Sequence, residues 1–150
     1  MMAIDETVAD FLLKQNVVIV ATADKKGVIN QSVKGIACLD PQGILYIVDL
    51  YNGKTKKNLK ENLNITISAV DEELFKGWQL KGTAKEYEDK ESQAILEHWD
   101  KKITERIADR IIRNIQKARR AAKYSERHLP KPKYIIEMEV NEIVDLAGNK

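Results

Sequence analysis

The residues of this chain best suited to chemistry lie in one short segment, Asp49 to Lys57, with the sequence Asp-Leu-Tyr-Asn-Gly-Lys-Thr-Lys-Lys. The segment follows a β-branched run and precedes a helical pattern, so a strand ends and a helix begins there. A helix N-terminus presents unpaired N–H groups and a partial positive charge, and Lys54 and Thr55 add an ammonium and a hydroxyl. This combination suits a phosphate dianion. The local sequence leaves open a solvated turn in which Thr55 caps a helix running to Asn62.

Gly53-Lys54-Thr55 also matches the end of the nucleotide-binding P-loop. The complete motif requires a glycine at position 48, where this chain has Val48. It also requires a surrounding parallel sheet, which the pattern of strands does not provide. The sequence therefore argues against a P-loop nucleotidase.

The segments that must position this site alternate between β-strands and tight turns. Two segments, Asp24–Gly27 and Asp40–Gly43, consist of residue types that favour tight turns. Such turns cannot act as the crossovers of a doubly wound sheet. The predicted fold class is therefore mainly β with helices (α+β), as a six-stranded antiparallel barrel forming one domain over 1–150. The predicted strands cover 17–21, 28–39, 44–48, 65–70, 78–87 and 134–144.

Helical patterns occur near the N-terminus and before the last strand. A stripe from Ile4 to Leu12 predicts a short amphipathic helix, and apolar residues at four-residue spacing from Ile95 to Ile115 indicate a helical segment over about 91–127. A four-residue spacing drifts by about 40° per step on an α-helix. We therefore predict a break near Asp100 to Thr104, with Thr104 capping a second helix that runs to about Ser125.

Composition restricts the class of protein. The chain has 150 residues, a formal net charge of +2 and a single cysteine, Cys38. No stretch approaches the roughly 18 apolar residues of a membrane span, and the acidic N-terminus does not resemble a secretory signal. We expect a cytoplasmic protein with no disulfide and with Cys38 as a small buried residue. His98 and His128 have no neighbours at metal-ligand spacing, so no metal site is predicted.

Five segments, in this order and at these spacings, resemble the pyridoxamine 5′-phosphate oxidase-like FMN-binding split barrels. They are 18–27, 31–34, 44–49, 54–59 and 80–84, and the resemblance covers roughly residues 4 to 87. It implies a six-stranded Greek-key split barrel and a homodimer that binds FMN at the subunit interface. The helical segment inserted before the last strand lies outside the resemblance, and composition argues against a membrane partner.

The resemblance implies roles for nine residues. Lys54 and Thr55 correspond to phosphate ligands, with Lys56 or Lys57 as further charge. The strand that lies along the flavin ring corresponds to Gln31, Ser32, Val33 and Lys34, and the strand bordering the ring and ribityl chain to Ile47, Val48 and Asp49. Lys34 is the candidate for the positive group near flavin N1, and Trp78 of the second subunit is a candidate to stack on the ring.

The implied activity is that of an oxidoreductase or electron-transfer protein using FMN, with no catalytic acid assigned. Arg127-His128-Leu129-Pro130 has the Arg-x-x-Pro pattern of the substrate-binding segment of the oxidases, but it lies well before the end of the chain. The substrate of the oxidases is therefore not assigned to this chain. Haem and deazaflavin, which related barrels hold, stay open as ligands.

Two other functions also stay open. The basic segment 117–133 is suited to contacting nucleic-acid phosphates, although aromatic residues for base stacking are few there. Alternatively, the stripe Ile103 to Ile115 suits a dimerisation module without a ligand.

Overall fold

A computed structural model describes residues 1–51, 53–87, 92–116, 131–132 and 134–148. The helices are α1 (Glu6–Lys14), α2 (Lys54–Glu61) and α3 (Ser92–Gln116). The strands are β1 (Val18–Ala23), β2 (Ile29–Asp40), β3 (Ile44–Asp49), β4 (Asn64–Asp71), β5 (Lys76–Tyr87) and β6 (Tyr134–Asp145). None of the helices within the described residues is both long and apolar enough to cross a membrane.

The six strands of the described chain close into an antiparallel barrel in the order β1-β2-β3-β6-β5-β4. This confirms the predicted α+β fold, including the helical segment before the last strand. The 12-residue strand β6 pairs with both β3 and β5, and so closes the barrel through long-range contacts. Opposite the bulge that β6 makes at Asn141, Gly82 of β5 leaves room for its partner strand, since a Cβ atom there would collide with the carbonyl oxygen of Glu139.

The barrel interior is filled by alternating apolar residues from the strands. The two ends are closed by the short helices. Val8 and Leu12 of α1 join the core, and the chain before α1 is fixed by a 2.8 Å hydrogen bond from the Ile4 N–H to the Pro41 carbonyl. Helix α2 covers the opposite end, beside the β1–β2 turn, and buries Thr55, Asn58 and Leu59. The candidate phosphate segment is therefore placed on the rim of the barrel.

Helix α3 is continuous, so the predicted break near Asp100 to Thr104 is wrong. Thr104 lies inside the helix, where its hydroxyl donates to the Asp100 carbonyl at 2.9 Å and caps no new helix. Ile95 and Trp99 pack on the outer face of β2, β3 and β6, whereas Ile112 is 52% exposed. The predicted end near Ser125 lies outside the described residues.

Trp99 and Lys102 fasten α3 to β2. The Trp99 ring covers Gly35 so closely that a Cβ there would come within 2.4 Å of it. At the neighbouring β2 bulge, the Lys102 ammonium donates to the Ile36 carbonyl at 2.8 Å. Burial, reinforced by the charge of Arg106, lowers the pKa of Lys102 to about 8. One end of the outer face of β2 is therefore occupied by α3.

Candidate functional site

A cavity of about 400 Å³ lies between the β1–β2 turn and helix α2. The turn and the start of β2 form one wall, and the exposed side of α2 forms the other. The cavity brings together segments about 30 residues apart in the chain. Its lining residues are Asp24, Lys25, Lys26, Val28, Ile29, Asn30, Lys54, Lys57, Asn58 and Glu61.

The charge in this cavity is predominantly positive. Four lysines face two carboxylates, and both carboxylates already accept hydrogen bonds from the main chain. Asp24 Oδ1 accepts from the N–H groups of Lys26 and Val28 at 2.8 and 3.0 Å, and Glu61 Oε2 accepts from the Lys25 N–H at 3.3 Å. The cavity therefore favours an anion.

The N-terminus of α2 reinforces this preference. The helix begins at Lys54, and its capping residue, Gly53, has no side chain that could accept from the first amides. The idea that Thr55 caps the helix is wrong, because Thr55 lies inside the first turn with its side chain buried. Lys54 and Lys57 line the cavity, whereas the Lys56 ammonium lies 4.8 Å from the centre of the Tyr134 ring.

The two predicted hydroxyl groups contact each other. Thr55 Oγ1 lies 3.0 Å from Ser32 Oγ, at the end of the barrel covered by α2. Thr55 is 2% exposed, so its hydroxyl points into this interface and is absent from the cavity lining. Ser32 and Thr55 therefore join α2 to β2, and Lys54 is the member of the predicted pair that faces the cavity.

Lys34 and Asp49 form a buried ion pair. Lys34 Nζ lies 3.0 Å from Asp49 Oδ1, and the two side chains are 7% and 1% exposed. The same Asp49 oxygen accepts from the Tyr51 N–H at 3.0 Å, while Asp49 Oδ2 is buried and has no hydrogen-bond partner among the described residues. Both side chains lie on the inner face of the barrel, on the paired strands β2 and β3.

The remaining predicted ring contacts divide between surface and core. Gln31 and Val33 are exposed on the outer face of β2. The same face carries Ile29, which is 69% exposed. Ile47 is buried in the barrel core, and Val48 lies under α3. Any contact that β3 makes with a ligand at these two positions would therefore use the main chain.

The other residues considered from the sequence lie away from the cavity. Trp78 packs against the core of its own barrel, and His98 is exposed on α3. Burial raises the pKa of the Cys38 thiol, so the reactive thiolate is disfavoured at neutral pH. Among the described residues, no three His, Cys, Asp or Glu side chains are grouped to hold a metal ion. His128 and all of the basic segment 117–133 except residues 131 and 132 lie outside the described residues.

Sequence reasoning missed Lys25, Lys26 and Asn58 as parts of this site. The two lysines belong to a segment whose pattern indicates only a turn, and nothing local shows that α2 lies opposite. Asn58 could have been found, since Thr55, Asn58 and Leu59 lie at helical spacing on one face. A polar residue in such a stripe signals a buried hydrogen bond.

Comparisons with known proteins assign the family. The family model described as pyridoxamine 5′-phosphate oxidase matches residues 4–145. An uncharacterised protein of Methanocaldococcus jannaschii is 36% identical over 93 residues, which is 61% of this chain and 62% of that relative. HupZ of Group A Streptococcus has the same fold at 23% identity, with a TM-score of 0.67 over 97% of this chain and 95% of HupZ. An FMN-binding protein of Syntrophomonas wolfei is 14% identical, with a TM-score of 0.64 over 92% of this chain and 83% of its own. The two solved structures show the fold, and the match over residues 4–145 shows that the chain belongs to the pyridoxamine 5′-phosphate oxidase family.

Proposed function

We propose that this protein binds FMN and holds its phosphate in the cavity between the β1–β2 turn and α2. Lys54, Lys57 and the first amides of α2 are the proposed ligands, with Lys25 and Lys26 as additional positive charge. The main support for the proposal is that four lysines and the N-terminus of α2 lie around the same cavity. Thr55 contributes through its main chain in this proposal, because its hydroxyl is engaged with Ser32.

The ring of the flavin has a suitable place on β2. Ile29 lines the cavity and begins the exposed outer strip that continues through Gln31 to Val33. The strip is about 13 Å long at the usual rise of a strand, and it ends where Trp99 covers Gly35. An exposed apolar strip beside an anion site fits an amphipathic ligand that has a phosphate at one end.

The proposal includes a homodimer, because one chain provides only one wall for the ring. Val28, Ile29 and Val33 are each more than 60% exposed in the single chain. A second copy laid on this strip would bury these side chains and form the opposite wall. Lys34 lies on the inner face of β2, 7% exposed and paired with Asp49, so in this proposal it is not the positive group near flavin N1.

The proposed activity is that of an oxidoreductase or electron-transfer protein. Bound FMN supplies hydride or single-electron transfer through N5. The residues of this chain bind and orient: the lysines hold the phosphate, and the outer strip of β2 supports the ring. That an FMN-binding protein of Syntrophomonas wolfei shares the fold supports this choice of cofactor.

Titration of FMN into the purified 150-residue chain tests this function. We expect saturable quenching of FMN fluorescence at one FMN per chain, together with a shift of the visible flavin absorption bands. Riboflavin is expected to bind more weakly, because it lacks the phosphate. If the fluorescence and the absorption of FMN stay unchanged throughout the titration, the proposed function is wrong.

A further inference from the structure

Within the described part of the chain, two hydrogen bonds between side chains attach helix α2 to the barrel. Asn58 Nδ2 donates to Thr22 Oγ1 at 3.1 Å, and Thr55 and Ser32 share a hydrogen bond at 3.0 Å. Thr22, Thr55 and Asn58 are 3%, 2% and 7% exposed, so water competes little for these bonds. Thr22 of β1 pairs with Asn30 of β2, and Ser32 of β2 pairs with Val20 of β1, so both hydroxyls lie on the inner face of neighbouring strands.

These contacts must determine how α2 lies on the barrel. A helix of eight residues is too short to be stable in isolation. Leu59 is its one buried apolar residue within the described chain, which leaves the polar contacts to fix its angle and its position along the rim. A displacement of α2 would move its first amides, Lys54 and Lys57 together relative to the lysines of the β1–β2 turn.

We infer that Thr22 is a positioning residue that determines the preference of this protein for the phosphorylated flavin, an inference that rests on the proposed function. Thr22 does not line the cavity and acts through Asn58. Its hydroxyl holds α2 at the distance from the β1–β2 turn at which both walls contact one phosphate. The ring strip on the outer face of β2 does not depend on α2, so riboflavin binding is independent of Thr22.

The test compares Thr22→Val, which keeps the shape and removes the hydroxyl, with Thr22→Ser, which keeps the hydroxyl. We expect Thr22→Val to weaken FMN binding about tenfold and to leave riboflavin binding within about twofold. Thr22→Ser is expected to bind both flavins like the unmodified protein. Thr83→Val is the matched control, because Thr83 accepts from Asn141 Nδ2 at 3.4 Å in an exposed pair on β5 and β6. It is expected to change neither affinity.

Asn58→Ala gives a second approach if Thr22→Val folds poorly. It removes the same hydrogen bond from the other side, so it is expected to weaken FMN selectively, and adding Thr22→Val to it is expected to cause little further loss. Equal losses of FMN and riboflavin, or additive effects of the two substitutions, would overturn the inference. If the unmodified protein binds no FMN, the proposed function itself fails, which is a distinct result.

Discussion

Replacing Lys54 and Lys57 together by alanine is expected to weaken FMN binding about 100-fold and to leave riboflavin binding within about twofold. Each lysine is expected to contribute a charge-assisted hydrogen bond to the phosphate, and each such bond corresponds to about a tenfold change in affinity. Both side chains are exposed and line the cavity, so their removal leaves the packing of α2 intact. Fluorescence titration of the two flavins measures both affinities.

Lys60→Ala is the control for this prediction. Lys60 lies in the last turn of the same helix, is exposed and does not line the cavity. The Lys60→Ala substitution removes the same type of charge from the same helix. Any general loss of attraction between the protein and an anionic ligand would therefore appear in this variant too. A loss of FMN affinity as large for Lys60→Ala as for a single cavity lysine would contradict the assignment, as would equal losses of both flavins.

Removing the Asp49 carboxylate is expected to have the largest effect on stability. Asp49→Ala leaves the Lys34 ammonium buried without its partner and also removes the acceptor of the Tyr51 N–H. Breaking one side of a buried ion pair in this way costs about 3–5 kcal/mol. Urea unfolding of the protein and the variant at the same pH measures the difference in the free energy of unfolding.

A double replacement separates charge from packing at this position. In Lys34→Met with Asp49→Leu, both charges are absent and most of the volume is retained, so we expect most of the lost stability to return. If the double variant is as unstable as Asp49→Ala, the buried charge is not the cause. Loss of packing around Asp49 would then explain the effect.

The first three strands were predictable because they are joined by turn residues whose conformations are locally determined. Asp24 and Asp40 accept hydrogen bonds from main-chain amides within their own turns, which is the behaviour that their residue type predicts. The helix break was not predictable in the same way. A four-residue spacing does drift around a helix, but the inference that the helix must break to keep facing one partner was wrong, because α3 is continuous from Ser92 to Gln116.

The site was predictable in part. Lys54 follows from its position at a strand exit and helix start, which local sequence shows. The direction of the Thr55 hydroxyl depends on Ser32, which is 23 residues away. Likewise, the pairing of Lys34 with Asp49 depends on the register of β2 against β3. Contacts of this kind arise from tertiary structure, so no local pattern could have indicated them.

The placement of the phosphate is tested most directly by backbone amide NMR of the 150-residue chain titrated in parallel with FMN and with riboflavin. We predict that shifts specific to FMN concentrate at the amides of residues 54–57 and 24–26, while shifts common to both flavins follow β2 from Ile29 to Val33. A second cavity, on the β4–β5 turn and lined by Val70, Phe75 and Leu146 among others, provides an internal comparison. FMN-specific shifts that concentrate at this second cavity, or that are absent from α2, would contradict the proposed placement of the phosphate between the β1–β2 turn and α2.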